Sequence, residues 1–489
     1  MPRRVLDAHP VRALEDWMAA EGGRGVARAW ESKPDDLIAT ISASGLRGRG
    51  GAGFPTGTKW ATVRANHAAD LPSTVVVNGA EGEPGSYKDR SILLANPYRV
   101  IEGALIAAAA VGADQVVLAL KSSAPDVVAR VRQAIEEMGA AGWFQRVAVD
   151  VVVGPEHYLY GEETALLEVI DGREPFPRIA PPWRRGLADV GDDTALAARV
   201  ELAGDDGATE VPPALVNNVE TIANVPGIIV NGPAWFREVG TDESPGTLVV
   251  TVSGGSARAG VAELPMGITM RDAIDLVGGG ARTGKVVGVL PGVSSPIVTA
   301  ADLDVPLTYE DLARLGSGMG AGALMVIDED VDPIALAQGV SRFLAVESCG
   351  QCRPCKQDGI EIASILERAL SSAPAGRDRT ELDSRLASIT VGARCSLATQ
   401  HQTVVGSILA AFPGAWERHA EAGAAPATPV QIAEIARIDD DEAVLDAGQA
   451  TKQPDWSHHD TDSGAAPADR IDQRADAQMG LAAEDAVER

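Results

Sequence analysis

The 489-residue chain predicts an α/β fold: a parallel sheet, then a smaller mixed domain, then a helical C-terminal region. Three observations carry that expectation. Apolar runs at 74–78, 115–120 and 147–153 alternate with segments of helical spacing, the βαβαβ order of a parallel sheet covered on both faces. From about Thr247 the pattern changes to short strands. From Asp332 to about Gly414 it is helical, and the chain's four cysteines, Cys349, Cys352, Cys355 and Cys395, all fall there.

Taken in order, residues 10–66 read as helical, with Asp35 and Asp36 after Pro34 marking one helix start. Residues 74–78 read as a buried strand and 92–112 as one long apolar helix. A strand at 115–120, a helix at 125–138, a strand at 147–153 and a helix at 161–172 follow. Residues 173–213 are irregular and proline-rich, a surface excursion, and 216–221 open another helix. Beyond it, 247–252, 260–264, 285–290 and 323–327 read as strands, with a short helix at 270–277.

The formal charge of −27 argues against nucleic-acid binding, which needs a basic footprint. No apolar run of about eighteen residues occurs, so no direct membrane insertion is expected. The first residues lack an apolar export segment, which with cysteines suited to metal favours a cytoplasmic setting. Residues 421–489 hold 16 acidic and 5 basic residues and few large apolar ones. That composition predicts a solvated, mostly disordered tail, with Ile432, Ile435 and Trp456 as anchors should it order against a partner.

Residues 45–57 contain six glycines interleaved with Arg47 and Arg49 and followed by Lys59. Such a backbone approaches a ligand closely, and its N–H groups with the neighbouring cations suit a phosphate. Gly48, Gly50 and Gly53 fit a dinucleotide fingerprint formally, but weakly, because they follow a helix rather than a strand. Two acidic loops follow strands: 78–89, with Asn78, Glu81 and Glu83, and 157–165, with Tyr158, Gly161, Glu162 and Glu163. Carboxylates there can accept hydrogen bonds from sugar or ribityl hydroxyls. Asn217, Asn218 and Thr221 offer further polar groups at a helix start. Residues 292–295 suit an anion or, more simply, a turn, and His157 has no assigned role.

The cysteines are spaced C-x2-C-x2-C, with the fourth far downstream, which suits a [4Fe–4S] cluster taking one sulfur per iron. A four-cysteine zinc site usually shows two separated pairs, and a disulfide would close strained loops.

In these motifs the chain resembles the flavin-bearing, NADH-oxidising subunit of respiratory complex I, and the related diaphorase subunits of NAD-linked formate dehydrogenases and hydrogenases. The likeness runs from about Pro10 to Trp416. It is carried by GLRGRGGAGFPTGTKW (45–60), EGEPGSYKDR (81–90), YGEETAL (160–166), NNVET (217–221), ELPMG (263–267) and ESCGQCRPC (347–355) with Cys395. The resemblance implies a Rossmann-like FMN/NAD domain with N-terminal helices at 1–240, a ubiquitin-like β-grasp domain at 241–330, a [4Fe–4S] helical bundle at 331–420 and an acidic tail at 421–489. It implies FMN held by Gly48, Arg49, Gly51, Lys59, Asn78, Glu81, Tyr158, Gly161, Glu162, Asn217, Asn218 and Thr221. It implies an NADH pocket of Phe54, Glu83, Glu163 and Trp183, with aromatics sandwiching the adenine and Glu83 and Glu163 the candidate catalytic residues. The four cysteines would ligate the cluster. A thioredoxin-like [2Fe–2S] subunit and a larger Fe–S, molybdopterin or hydrogenase-type subunit are the implied partners, the latter able to place the chain at a membrane surface.

The chain also departs from the family pattern. A carboxylate expected before Glu81 is Ala80, an aromatic after Trp60 is Thr62, and a lysine before the Pro-Pro step is Ala180, with Arg184 and Arg185 near enough to supply charge. Residues 189–209 read as an insertion beside the nucleotide pocket. Beside NADH oxidation, two alternatives therefore stand: a diaphorase running toward NAD+ reduction, and an electron relay that has lost NADH binding.

Overall fold

The computed structural model describes residues 3–67, 73–179, 181–183, 186–187, 212–371, 374–421 and 426–453. Ala180, Arg184, Arg185, Trp456 and the 189–209 insertion lie outside the described residues. Helices α1 (Leu14–Ala19), α2 (Arg24–Glu31), α3 (Pro34–Ser44) and α4 (Thr56–Ala65) precede the first sheet. Strands β1 (Ser73–Gly79), β2 (Ala113–Lys121), β3 (Ala148–Gly154) and β4 (Ala214–Asn218) form that sheet in the order β3-β2-β1-β4, every pair parallel. Helices α5 (Lys88–Ala95), α6 (Pro97–Val111), α7 (Pro125–Ala140), α8 (Glu163–Ile170) and α9 (Val219–Asn231) connect and flank the strands, and α10 (Pro233–Arg237) leads out. The chain reverses direction across the sheet at β1 and β4, so the crevice beyond their carboxyl ends is where such a fold binds its ligand.

Two expectations change here. The single helix at 92–112 is two helices, α5 and α6, bent by 99°. Pro97 lacks the N–H to continue α5, and Asn96 accepts from Arg99 N at 3.1 Å, capping α6. The segment at 216–221 is not simply a helix start: β4 runs first and ends at Asn218, whose side chain then caps α9. Among the described residues no single helix is long and apolar enough to cross a membrane. Helix α6, apolar along most of its length, is buried against the sheet and α9.

A second sheet combines β5 (Thr247–Gly254), β6 (Gly260–Pro265), β7 (Val286–Leu290), β8 (Val298–Thr299) and β9 (Ala323–Asp328) in the order β6-β5-β9-β7-β8. Its β5–β9 pair is parallel and the others antiparallel. Short helices α11 (Met270–Ala273) and α12 (Tyr309–Arg314) accompany it. Beyond it, α13 (Pro333–Glu347), α14 (Arg353–Ser371), α15 (Gly376–Ser388), α16 (Leu397–Ala411) and α17 (Ala415–Ala420) share an apolar core that includes Phe343, Ile362, Leu366, Val404 and Ile408.

The tail expectation is corrected for residues 426–453. They form an antiparallel hairpin, β10 (Ile435–Asp439) with β11 (Glu442–Leu445), and Ile432 and Ile435 are buried within this chain. Acidic composition misleads here because one of the carboxylates, Glu434, meets buried cations of the first domain.

Candidate functional site

The glycine loop joins α3 to α4 and is closed by paired bonds at its base, Gly48 N to Phe54 O at 2.8 Å and Thr56 N to Leu46 O at 3.0 Å. Inside it, the N–H groups of residues 50–54 reach no acceptor among the described residues. Helix α4 starts with no side-chain cap, and Thr56 Oγ1 is buried without a partner among the described residues. Unpaired donors at a helix N-terminus suit an anionic group, and a flavin phosphate fits this cradle. Gly53, at φ 62°, shows how tight it is: a Cβ there would lie 2.5 Å from the Tyr309 ring.

The arginine side chains are engaged within the protein. Arg49 is 1% exposed. Its guanidinium donates to Tyr309 Oη at 3.2 Å and Pro245 O at 3.1 Å, and its backbone N–H to Thr221 Oγ1 at 2.9 Å. Arg47 donates to Gly53 O at 2.7 Å and lies 4.2 Å over the Tyr309 ring. Both guanidinium groups therefore brace the loop through the second sheet's domain. Lys59 pairs with Glu163, tying α4 to α8.

The remaining sequence-named groups gather at the ends of β1 and β4. Asn78 donates to Gly161 O at 2.8 Å, and Asn217 accepts from Trp60 Nε1 at 2.9 Å. A Cβ on Gly50 would stand 3.3 Å from Asn218, so Gly50 runs beside this strand end, while Gly51 faces Gly320. Asn218 accepts from Glu220 N and Lys88 Nζ, both at 3.0 Å, and donates to Asp89 at 2.6 Å. Lys88 is fully buried between Asp89 at 2.7 Å and Glu220 at 3.0 Å. Burial, opposed by Lys88, pushes Asp89 up to about 7. Sequence reasoning quoted Lys88, Asp89 and Glu220 in motifs but assigned them no role.

Glu81 accepts from Ser86 Oγ at 2.6 Å and from Asp89 N and Arg90 N at 3.1 Å, so it shapes its own turn. Glu162 caps α8, accepting from Thr164 N at 3.0 Å and Ala165 N at 2.8 Å. Glu83 accepts from Tyr158 Oη at 2.8 Å, Val293 N at 2.6 Å and Ser294 N at 3.1 Å. The turn at 292–295 thus does hold an anion, the chain's own carboxylate. Burial raises the Glu83 pKa despite those donors.

Phe54 is 53% exposed, while Trp183 packs on the first core. Ala80 lies buried with Tyr160, Leu166 and Val216, an apolar setting for a position where a carboxylate was expected. Thr62 bonds back to Thr58 O on α4.

Cys349 follows α13, Cys352 precedes α14, Cys355 lies in its first turn and Cys395 precedes α16. All four line one small cavity with Leu159, Pro177, Leu397 and Ala398. Among the described residues, no three His, Cys, Asp or Glu side chains gather tightly enough for a single ion. Zinc draws every sulfur to about 2.3 Å of one point, whereas a cube needs sulfurs spread around a volume, and this donor set fits the cube. Burial pushes the Cys355 thiol up to about 11 and Cys395 to about 12, so iron must displace their protons. Lys356, fully buried, donates to Ala345 O at 2.6 Å and Ser348 O at 2.9 Å, fixing the turn before Cys349.

The model of the Nuo51 FMN-binding domain matches residues 41–227, and that of the NADH-ubiquinone oxidoreductase-F iron-sulfur binding region matches 335–419. The chain is 36% identical over 419 residues to the NADH-quinone oxidoreductase F subunit of Mycobacterium tuberculosis (strain ATCC 25618 / H37Rv), covering 83% of this chain and 90% of the relative. It is 32% identical over 425 residues to NADP-reducing hydrogenase subunit HndC of Solidesulfovibrio fructosivorans, covering 85% and 82%. Among solved structures it resembles an NAD+-reducing [NiFe]-hydrogenase in the H2-reduced state, with TM-score 0.70 and 30% identity. That match covers 85% of this chain and 66% of the other, so this chain spans about two thirds of its length.

Proposed function

The chain belongs to the family of NADH-quinone oxidoreductase F subunits, and on that premise we propose that it is the electron-input subunit of a larger redox complex. Its cofactors are FMN and a [4Fe–4S] cluster, and its nucleotide is NADH. The observation that carries the reading is a single backbone step. Tyr158 reaches the Glu83 carboxylate beside the flavin loops, while the next residue, Leu159, lines the cysteine cavity. Flavin and cluster would therefore be neighbours across one tyrosine–leucine pair.

Bound FMN would supply a hydride acceptor for NADH, and a bound cluster a one-electron carrier beside it. The protein contributes position. The loop N–H groups of residues 50–54 and Lys59 would hold the flavin phosphate, with Asn78, Gly161, Asn217, Asn218 and Thr221 around the rest. Glu83, fixed by three donors, and Glu163, on the more exposed side of Lys59, would orient the nicotinamide ribose rather than move a proton. Cys349, Cys352, Cys355 and Cys395 would ligate the cluster.

The mixed sheet would be a β-grasp domain at 241–330, the helices of 331–420 the cluster bundle, and 1–240 the Rossmann-like domain. A thioredoxin-like [2Fe–2S] subunit would take the electrons, with a larger Fe–S, molybdopterin or hydrogenase-type subunit beyond it, in the cytoplasm or at the membrane surface through those subunits. A second reading, a diaphorase running toward NAD+, is favoured by the likeness to the NAD+-reducing hydrogenase. The subunits that copurify separate the two.

Anaerobic addition of NADH to the holoprotein tests the proposal. Flavin bleaching together with the reduced-cluster EPR signal is expected. Flavin that responds to dithionite but not to NADH would sink it and leave the electron-relay alternative.

A further inference from the structure

Residues 426–453 lie past the iron–sulfur family region, which ends at 419, and touch all three parts of the chain. The segment starts on the cluster helices, with Ala427 N donating to Leu370 O at 3.1 Å and Val430 N to Ala335 O at 3.1 Å. It passes close enough to α13 that a Cβ on Gly339 would meet Val430 O at 2.0 Å, and Ile432 joins the cluster-side core.

Glu434 then reaches the first domain. It pairs with Arg90 at 3.1 Å and with Lys121, whose side chain is 1% exposed at the end of β2. Gly82, within the loop that carries Glu81 and Glu83, leaves the room: a Cβ there would lie 2.5 Å from Lys121 Nζ and 3.1 Å from Glu434. The hairpin turn accepts from Ala259 N of the second sheet's domain at Asp441 O.

The segment ends back at the cysteine loop. Arg342 of α13 donates to Gln449 O, Ala450 O and Lys452 O at 3.0–3.1 Å. Lys452 Nζ donates to Glu347 at 2.6 Å, and the other Glu347 oxygen accepts from Tyr158 N at 3.0 Å. Glu347 stands two residues before Cys349. Lys452, Glu347, Tyr158 and Glu83 thus form one continuous chain of bonds from the strap to the flavin-side carboxylate.

We propose that 426–453 is a brace across the flavin-to-cluster step, with Glu434 and Lys452 as positioning residues that hold the 78–89 and 157–161 loops against the cysteine loop. Neither touches the sequence-named cofactor residues directly except through Glu347 and the Lys121 pair, so the proposal concerns spacing and not binding. It rests on the electron-input reading above.

The test uses the full-length holoprotein and the double variant Glu434→Gln/Lys452→Met. NADH-driven flavin bleaching and appearance of the cluster EPR signal are followed separately, together with hydrogen exchange over 156–162. Bleaching is expected at the wild-type rate, cluster reduction several-fold slower, and exchange faster. Restoring Lys452 as Arg, with Glu434 intact, should return the cluster rate. Equal loss of both rates would mean general damage and overturn the brace, as would wild-type rates with unchanged exchange. If wild-type protein is not bleached by NADH, the electron-input reading fails. Dithionite-reduced protein and hydrogen exchange then still decide whether the strap holds the loops.

Discussion

The Tyr158 hydroxyl donates to the Glu83 carboxylate at 2.8 Å, while the Tyr158 backbone N–H donates to Glu347 at 3.0 Å. One residue therefore binds a carboxylate of the flavin-side loop with its side chain and one of the cysteine loop with its main chain. Its ring also meets Phe343 of α13 edge-on, with centroids 5.4 Å apart. The electron donor and acceptor regions are registered through a tyrosine that the sequence marked only as a flavin contact.

Tyr158→Phe should cost about 1 kcal/mol of stability and shift the pH dependence. Burial raises the Glu83 pKa above its ordinary 4.5, with the Tyr158 bond opposing that rise. A raised carboxylate makes the native state hold the extra proton, so stability falls as pH climbs from 4.5 through the folded value. Losing the Tyr158 donor extends that fall to higher pH, and Glu83→Gln removes it. Melting temperatures across the acid-to-neutral range check both, and a parallel dependence in all three proteins would refute the assignment.

Gly53→Ala should empty the flavin site. The residue sits at φ 62°, where an L side chain is strained, and its Cβ would press 2.5 Å from the Tyr309 ring. Tyr309 holds Gly48 O at 2.8 Å and Arg49 at 3.2 Å, so moving it distorts the loop from both ends. A strain of about 1–3 kcal/mol is expected. Flavin released on denaturation, counted by fluorescence, should fall well below one per chain while the protein stays folded.

What could be read beforehand divides along burial. Strands β1 and β2 are legible because continuous apolar runs record burial on both faces, and β3 is legible from its valine run although it is the partly exposed edge of the sheet. β4 is not, since its last two residues, Asn217 and Asn218, read as the polar start of a helix, and Asn218 does cap α9. Spacing alone brought the cysteines forward, and their shared cavity agrees. Arg49 was legible as a loop residue but not in direction, because its partners Tyr309 and Pro245 lie about 200 residues or more away. The same distance hid the strap: Glu434 meets Lys121 and Arg90 more than 300 residues earlier, and no local composition reveals such a pairing.

Cys352→Ser should remove iron and the EPR signal while NADH still bleaches the flavin. Cys352 is partly exposed at the edge of the cavity, and the glycine loop and strand-end asparagines make no bond to it. Iron content and bleaching measured on one sample decide the point. Loss of flavin along with iron would show that the two sites do not form independently.

His401 should govern part of the acid stability of the cluster helices. It is fully buried on α16, with Nε2 2.7 Å from Ser341 Oγ of α13, and burial pushes its pKa from 6.5 down to about 3. The unfolded chain takes up a proton near 6.5 that the native state refuses until about 3. Between those values the unfolded state binds more protons, so stability is complete above 6.5 and drains away as pH falls through the window. Over the whole interval the loss is of order 4–5 kcal/mol. His401→Gln, whose amide can still meet Ser341, should flatten this acid limb and leave neutral stability within about 1.5 kcal/mol of wild type. Urea midpoints measured from neutral pH downward give the slope directly, and an unchanged slope in the variant would assign the acid sensitivity to other groups.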